Sequence, residues 1–253
     1  MNHGIALVRR PSSRLAEGLV THIERSTVDI ELARRQHDAY SAALEGAGWT
    51  VRDVVPAEHC PDSVFVEDTV LVCGNRAVLA RSGAPQRRPE VAGTESAVRA
   101  VGLDVTRIET PGTLDGGDVL QAGDTVYVGR GGRTNGEAIR QLRRLLPDRR
   151  VVGVPLGRVL HLKSAVTALP DGTFLTWPGL VDTAVFPAVR TVDEEPGCHV
   201  VPLGGDRVLI AASAPKTAAL LDDLGFTPVV VDISEFEKLE GCVTCLSVLV
   251  PQV

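Results

Sequence analysis

The sequence predicts an α/β fold of five ββαβ units closed into a ring, a five-bladed α/β propeller. Three observations carry that expectation. First, a strand–strand–helix–strand pattern repeats. From Thr69, TVLVCG and RAVLARSG read as short strands split at Gly74-Asn75, RRPEVAGTESAVRAVG as a helix stopping at Gly102, and DVTRIE as a third strand. From Asp118 the order returns as DVLQAG, TVYVGR, the helix TNGEAIRQLRRLL and RVVGVPL. Second, the leading unit is incomplete and is split between the termini. Third, no Pro/Ser linker, charge run or low-complexity tract divides the chain, so residues 1–253 read as one domain.

Each unit has its own local reasons. In the split unit, IELARRQHDAYSAALEGAGWTVRDVVP supplies a helix and a strand. GIALVRR from one end and VTCLSVLV from the other supply the remaining two strands, with Gly4–Arg9 expected beside the strand carrying Cys245. In the third unit Asn135 is placed to cap a helix whose Ala138, Ile139, Leu142, Leu145 and Leu146 share one face. The fourth unit, AVTALPDG, TFLTWPG and AVRTVD, has an abbreviated middle. In the fifth, CHVVPLGG and RVLIAASA precede a helix with Ser213 before it, Pro215 in its first turn and Gly225 after it; TPVVVDIS closes the unit.

Composition narrows the function classes. At 44% hydrophobic and 23% charged residues the chain is an ordinary globular sequence rather than a disordered or fibrous one. Its net charge of −6 argues against a nucleic-acid footprint. No apolar run reaches the roughly 18–20 residues of a membrane span, and MNHGIALVRRPSS is too short in apolar residues for a signal peptide. Five cysteines, an odd number without an export signal, point to reduced thiols in a cytoplasm.

The chemistry-bearing residues gather at strand starts. PDSVFVED places Asp62, Glu67 and Asp68 around Phe65, and TLDGGD places Asp115 and Asp118 around a glycine pair. Carboxylates so close repel one another unless a metal, guanidinium or ammonium group lies between them, and the glycines would let the backbone approach a ligand. His3, His22 and His37 read as surface or helix residues, and His199 as the start of a strand. His161, at the edge of the apolar run RVLHLKSAV, is either a buried core histidine or a catalyst. Cys242 and Cys245 form GCVTC, in what reads as the last strand. Four readings stand: a redox pair, half of a zinc knuckle, a single nucleophile at Cys245, or two buried strand residues.

Six segments, in order and spanning nearly the whole chain, resemble the dimethylarginine dimethylaminohydrolase family of the guanidine-modifying (pentein) superfamily. They are PDSVFVED at 61–68, RSGAPQRR at 81–88, GTLDGGDV at 112–119, GRTN at 132–135, LHLKS at 160–164 and EKLEGCVTCLSVL at 237–249. The resemblance implies the pentein fold and, by position, Cys245 as nucleophile, His161 as general acid/base and Asp115 as the acid orienting both guanidinium and histidine. Asp at 115, where some members carry Glu, is within the family's range.

The resemblance also puts Leu19, Asp62, Phe65, Glu67, Asp68, Arg87, Arg133 and Leu239 on substrate-contact positions. Asp68 would hold the guanidinium. Arg87 and Arg133 would hold the α-carboxylate at the opposite end, and Asp62 with the Leu239 carbonyl would face the α-amine. It implies hydrolysis of methylated arginine, a small-molecule substrate, to citrulline and methylamine or dimethylamine, with no cofactor, metal, nucleic acid or membrane required. Monomer and homodimer both remain open. Arginine deiminase or amidinotransferase chemistry is the alternative within the superfamily; a C-x-x-C redox or zinc-binding module is the alternative outside it.

Overall fold

A β-hairpin needs only a tight turn, whereas a parallel third strand needs a crossover that brings the chain back. The five repeats are built on that rule. The computed structural model describes residues 3–157 and 159–252. Strand β1 (Gly4–Val8) precedes helix α1 (Ile30–Gly46) and β2 (Trp49–Asp53). The next unit is β3 (Val70–Cys73), β4 (Arg76–Leu79), α2 (Val91–Ala100) and β5 (Asp104–Arg107). The third is β6 (Val119–Ala122), β7 (Thr125–Arg130), α3 (Gly136–Leu145) and β8 (Arg150–Pro155). In the fourth, β9 (Val166–Ala168) and β10 (Phe174–Thr176) reach β11 (Val189–Thr191) through only a 3-10 turn, Thr183–Val185, which is the abbreviated middle. The fifth is β12 (Val200–Gly204), β13 (Arg207–Ala211), α4 (Pro215–Asp223) and β14 (Thr227–Val231). The short helix α5 (Ser234–Glu237) and β15 (Ser247–Pro251) end the chain.

These strands make five three-stranded sheets. In each, the middle strand is antiparallel to its hairpin partner and parallel to the strand after the crossover, as β4 is to β3 and β5. The split unit obeys the same rule. β1 lies antiparallel to β15, with Val8 opposite Ser247, and parallel to β2. The N-terminal strand therefore does pair beside Cys245, with two corrections. It ends at Val8, and Arg9 turns inward, fully buried, to donate to the carbonyls of Ser63 and Glu90 and to Thr94 Oγ1. Cys245 itself is in a one-turn 3-10 helix, Val243–Leu246, that stops where β15 begins.

A turn of the same kind precedes the first strand of every other unit: Val66–Thr69, Gly116–Asp118, Leu162–Ser164 and Glu195–Cys198. The turn before β3 packs on those before β6 and β15, and the turn before β6 on that before β9. The first strands line a channel of about 820 Å³, with Val72, Gln121, Thr167, Val201 and Leu249 among its walls. Helices cover the other side of the sheets. On α3, capped by Asn135 Oδ1 through the Ala138 N–H at 3.0 Å, the stripe Ala138, Ile139 and Leu142 buries against Val126, Val128 and Val151. Each leucine so buried contributes roughly 1.5–3 kcal/mol. Ser213 does not cap α4. The Glu194 carboxylate does, accepting the N–H groups of Lys216 and Thr217 at 3.2 and 2.8 Å. His37, read as a surface or helix residue, is on helix α1 but buried, and burial lowers its ring to about 4. Among the described residues no helix is long and apolar enough to cross a membrane.

The glycine pair serves the protein's own packing. A Cβ on Gly116 would lie 2.0 Å from the Glu67 carbonyl oxygen, and one on Gly117 would lie 2.6 Å from His161 Nδ1. Gly116→Ala should therefore force two adjacent turns apart and cost about 1–3 kcal/mol, as overpacking does. Denaturant unfolding measures it; an unchanged midpoint would mean the turns are not in contact.

Candidate active site

The turns at the strand starts aim their side chains at one place. A pocket of about 310 Å³ is lined by Cys245 and His161 together with Asp62, Phe65, Asp68, Arg87 and Arg133. Leu19 and Leu239 complete it, as the resemblance implies, and Leu160, Glu240 and Gly241, which lie in the matching segments at 160–164 and 237–249 but without an implied role, join them. Asp115 lies behind the pocket, fully buried, with its Oδ2 3.1 Å from His161 Nε2. Residues from 62 to 245 thus meet because the turns of four units converge here, and Arg87 and Arg133 reach in from the segments that follow β4 and β7.

Carboxylates this deeply buried must be paired, since an isolated buried charge costs several kcal/mol. Asp68 Oδ2 accepts from Arg87 Nη1 at 2.6 Å, and its Oδ1 accepts the Gly117 N–H at 2.9 Å and lies 3.7 Å from His161 Nδ1. Arg87 makes a bidentate pair with Glu90 through Nε and Nη2 at 3.1 and 2.9 Å. Asp115 accepts from Arg133 Nη1 and from the Gly83 N–H, each at 3.1 Å. The cations demanded by the acidic clusters are thus two arginines and an imidazolium of the protein itself. This corrects the expectation that acids and arginines stand at opposite ends of the pocket: they touch, because burial leaves the carboxylates no water. Asp68, Asp115 and His161 also offer ligand atoms within 4.8 Å of one another, a geometry that could hold a cation.

Glu67 is placed differently from its expected position. Its carboxylate turns away from the pocket to Lys163 Nζ and to the Thr244 hydroxyl, which donates to Oε2 at 3.0 Å, and it lines the axial channel. Burial raises it to about 7 against the lowering influence of Lys163. The ion pair with Lys163 forms a floor between pocket and channel; Lys163 carried no signal beyond its place beside His161. Glu90, which holds Arg87, was missed as well, although its i+3 spacing from Arg87 is readable. Asp62 accepts the Leu19 N–H at 3.0 and 3.2 Å, so it fixes the loop over the pocket.

The charges tune the titrating groups. Burial alone would lower His161, but Asp68, the hydrogen bond to Asp115, and Asp118 raise it to about 9. Asp115 is held well below the usual carboxylate range: burial opposes this, while the bond and charge of His161 and the charge of Arg87 outweigh it. The Cys245 thiol is 3.3 Å from that of Cys242. The hydrogen bond to Cys242, burial, and the negative Glu67 and Asp68 push Cys245 up. The bond from Cys245 brings Cys242 down against burial, with help from His199 and Thr244. His199, one residue before β12, donates from Nε2 to the Ser164 carbonyl at 2.9 Å; burial lowers its ring, but the Cys198 and Cys242 sulfurs raise it to about 10.

Comparison with known proteins agrees with this geometry. The profile of the arginine deiminase (ADI) family matches residues 9–247. The N(G),N(G)-dimethylarginine dimethylaminohydrolase of Streptomyces coelicolor is 62% identical over 246 residues, covering 96% of this chain and 95% of that one. The chain belongs to the dimethylarginine dimethylaminohydrolase family. The Pseudomonas aeruginosa member is 35% identical, with 95% of this chain and 97% of that one covered. A structure of that enzyme, a Cys-to-Ser mutant complexed with citrulline, superposes with a TM-score of 0.90 at 32% identity, over 98% of this chain and 99% of that one. The N-terminal domain of the cyanobacterial arginine dihydrolase ArgZ, at 22% identity and a TM-score of 0.88 over 98% of this chain and 97% of that one, shares the fold. The five-bladed pentein architecture is thus that of the dimethylaminohydrolase family.

His161 in this member of the family carries its charge well past neutrality. Since its folded-state value of about 9 lies above the ordinary 6.5, the imidazolium contributes stability fully below pH 6.5, and that contribution is lost as pH rises through about 9. Asp115→Asn removes one of the carboxylates that raise it, so the His161 midpoint should fall toward 6.5. NMR titration of the ring reads this directly; an unmoved midpoint would show that Asp115 does not set the charge of His161.

Proposed function

We propose that this protein hydrolyses N-omega-methylated arginine to citrulline and methylamine or dimethylamine. The observation that carries the reading is one pocket holding a cysteine, a charged histidine and Asp68, with Asp115 behind the histidine, in a chain 62% identical to a dimethylarginine dimethylaminohydrolase. Residues 1–253 act as one catalytic domain, since the pocket draws on units from both ends of the chain. The substrate is a small molecule. Five free cysteines suit the reducing conditions of a cytoplasm.

The chemistry follows from the groups present. A guanidinium carbon is resonance-stabilised, so it needs a thiolate rather than an alkoxide as nucleophile. With Asp68 and Glu67 near it, the Cys245 thiol holds its proton; a guanidinium bound against Asp68 brings positive charge alongside and favours ionisation. Cys245 Sγ then adds to the guanidinium carbon. His161, protonated, gives its proton to the departing amine as the C–N bond breaks, leaving a covalent thiouronium on Cys245. As neutral imidazole it next takes a proton from the water that attacks that carbon. The C–S bond breaks, citrulline forms and the thiol is restored. Asp115 holds the His161 ring in place throughout. Arg133, partly exposed at the pocket and paired with Asp115 through Nη1, is the arginine placed to meet an α-carboxylate; Arg87 is buried and committed to Glu90 and Asp68. Asp62 and the Leu239 main chain face the α-amine, and Leu19 and Phe65 close over the side chain.

Three measurements test this reading. Purified protein should release citrulline from asymmetric dimethylarginine and much less from arginine. Release from arginine alone would favour a deiminase instead. Cys245→Ser should abolish turnover while Cys242→Ser keeps most of it, and mass spectrometry should find substrate-derived adduct on Cys245 alone. Equal loss in both variants without an adduct would favour a dithiol redox function. Arg133→Ala should raise KM far more than it lowers kcat, because a carboxylate contact is alike in ground and transition states; an unchanged KM would remove Arg133 from the carboxylate end.

A further inference from the structure

The second thiol of the C-x-x-C pair has no part in the hydrolysis. Its position is nevertheless specific. Cys242 caps the one-turn 3-10 helix Val243–Leu246, and the Cys245 N–H donates to the Cys242 carbonyl at 3.1 Å. With three residues per 3-10 turn, side chains at i and i+3 eclipse. The two sulfurs consequently face each other at 3.3 Å, both buried. A disulfide needs about 2.05 Å, which leaves roughly 1.3 Å to close by rotation about the two Cα–Cβ bonds. Access is unequal. Cys245 lines the pocket and Cys242 does not. Both pack in the apolar cluster of Tyr40, Phe65, Phe236 and Leu239, so the difference lies in the pocket wall alone.

We propose that Cys242 is a resolving cysteine, which closes a reversible disulfide with Cys245 when a peroxide enters the pocket. The inference rests on the reading of Cys245 as the reactive thiol. In the first step the Cys245 thiol passes its proton across the 3.3 Å contact to the Cys242 thiolate, and the Cys245 thiolate so formed attacks one oxygen of hydrogen peroxide. The O–O bond breaks, hydroxide leaves and is protonated to water, and Cys245 becomes a sulfenic acid. In the second step the Cys242 sulfur, as thiolate, attacks Cys245 Sγ. The S–O bond breaks, the oxygen departs as a second water, and the S–S bond forms. Two thiols lose two electrons and one peroxide is reduced to two waters. His199 and Thr244, which favour the anionic form of Cys242, prepare it for the second step. The disulfide removes the nucleophile, so turnover stops; a dithiol reductant returns both thiols. Without a neighbour to trap it, a sulfenic acid proceeds to sulfinic and sulfonic acids, which such reductants do not reverse.

The test treats the full-length protein with a small excess of hydrogen peroxide in the absence of substrate. Mass spectrometry of the peptide carrying residues 242 and 245 is read before and after dithiothreitol, in parallel with citrulline formation. The expected wild-type result is loss of two hydrogens from that peptide, loss of turnover, and recovery of both with dithiothreitol. Cys242→Ser, repeated as Cys242→Ala in case the hydroxyl unsettles a buried turn, should instead gain two or three oxygens on Cys245 and stay inactive. Accumulation of sulfinic acid on Cys245 of the wild type, as in the variants, would overturn the proposal. The mass reading needs no turnover. A disulfide in a protein that makes no citrulline would therefore count against the hydrolase alone, and its absence in an active hydrolase against this inference alone.

Discussion

Everything at the pocket depends on a row of buried charges that alternate in sign: Glu90, Arg87, Asp68, His161, Asp115 and Arg133. The successive contacts are 2.9, 2.6, 3.7, 3.1 and 3.1 Å. No member could be buried alone at tolerable cost. Together they carry three negative and three positive charges when His161 is protonated, and each ion has an opposite neighbour on its flank. This is why His161 keeps its proton against burial and why Asp115 stays ionised. The same row explains how the pocket can present a carboxylate to a cation without collapsing around it.

The row is assembled by repetition. A one-turn 3-10 helix before the first strand of each blade is a structural device, since it turns the chain inward toward the axis before the strand begins. Its consequence is chemical. Equivalent positions in different blades become neighbours, and each blade contributes a different functional group: Cys245, Asp68, Asp115 and His161 come from four of them. Glycine at 116 and 117 is what allows the turns to approach so closely. The layer of turns also divides the axis in two. The pocket lies on one side and the channel on the other, with Glu67 and Lys163 between.

The turn that delivers Cys245 delivers Cys242 as well, at the eclipsed position. A nucleophile that must be reactive toward a poor electrophile is exposed to oxidants for the same reason. A second sulfur 3.3 Å away, shielded from the pocket, is the least elaborate protection the backbone geometry allows.

The sequence by itself determined the repeat, its closure through the two termini, the Asn135 cap and the gathering of acids at strand starts. These are legible because hydrophobic periodicity and capping are local. The resemblance named eleven residues for the pocket; nine of them line it and Asp115 stands behind it, while Glu67 faces the channel. What only the tertiary structure decided is which charge meets which. The 3-10 turns themselves are invisible in the sequence, which shows only strand starts there, because three or four residues have no periodicity of their own. The direction of Glu67, one residue from Asp68 yet facing the other side, follows from the turn and not from residue type. Arg87, by its position a ligand for a carboxylate, is occupied by Glu90 and Asp68, and the burial of His37 and the capping of α4 by Glu194 come from partners remote in sequence. Charge pairing in a buried site depends on distances between separate units, and a one-dimensional pattern holds no record of those distances.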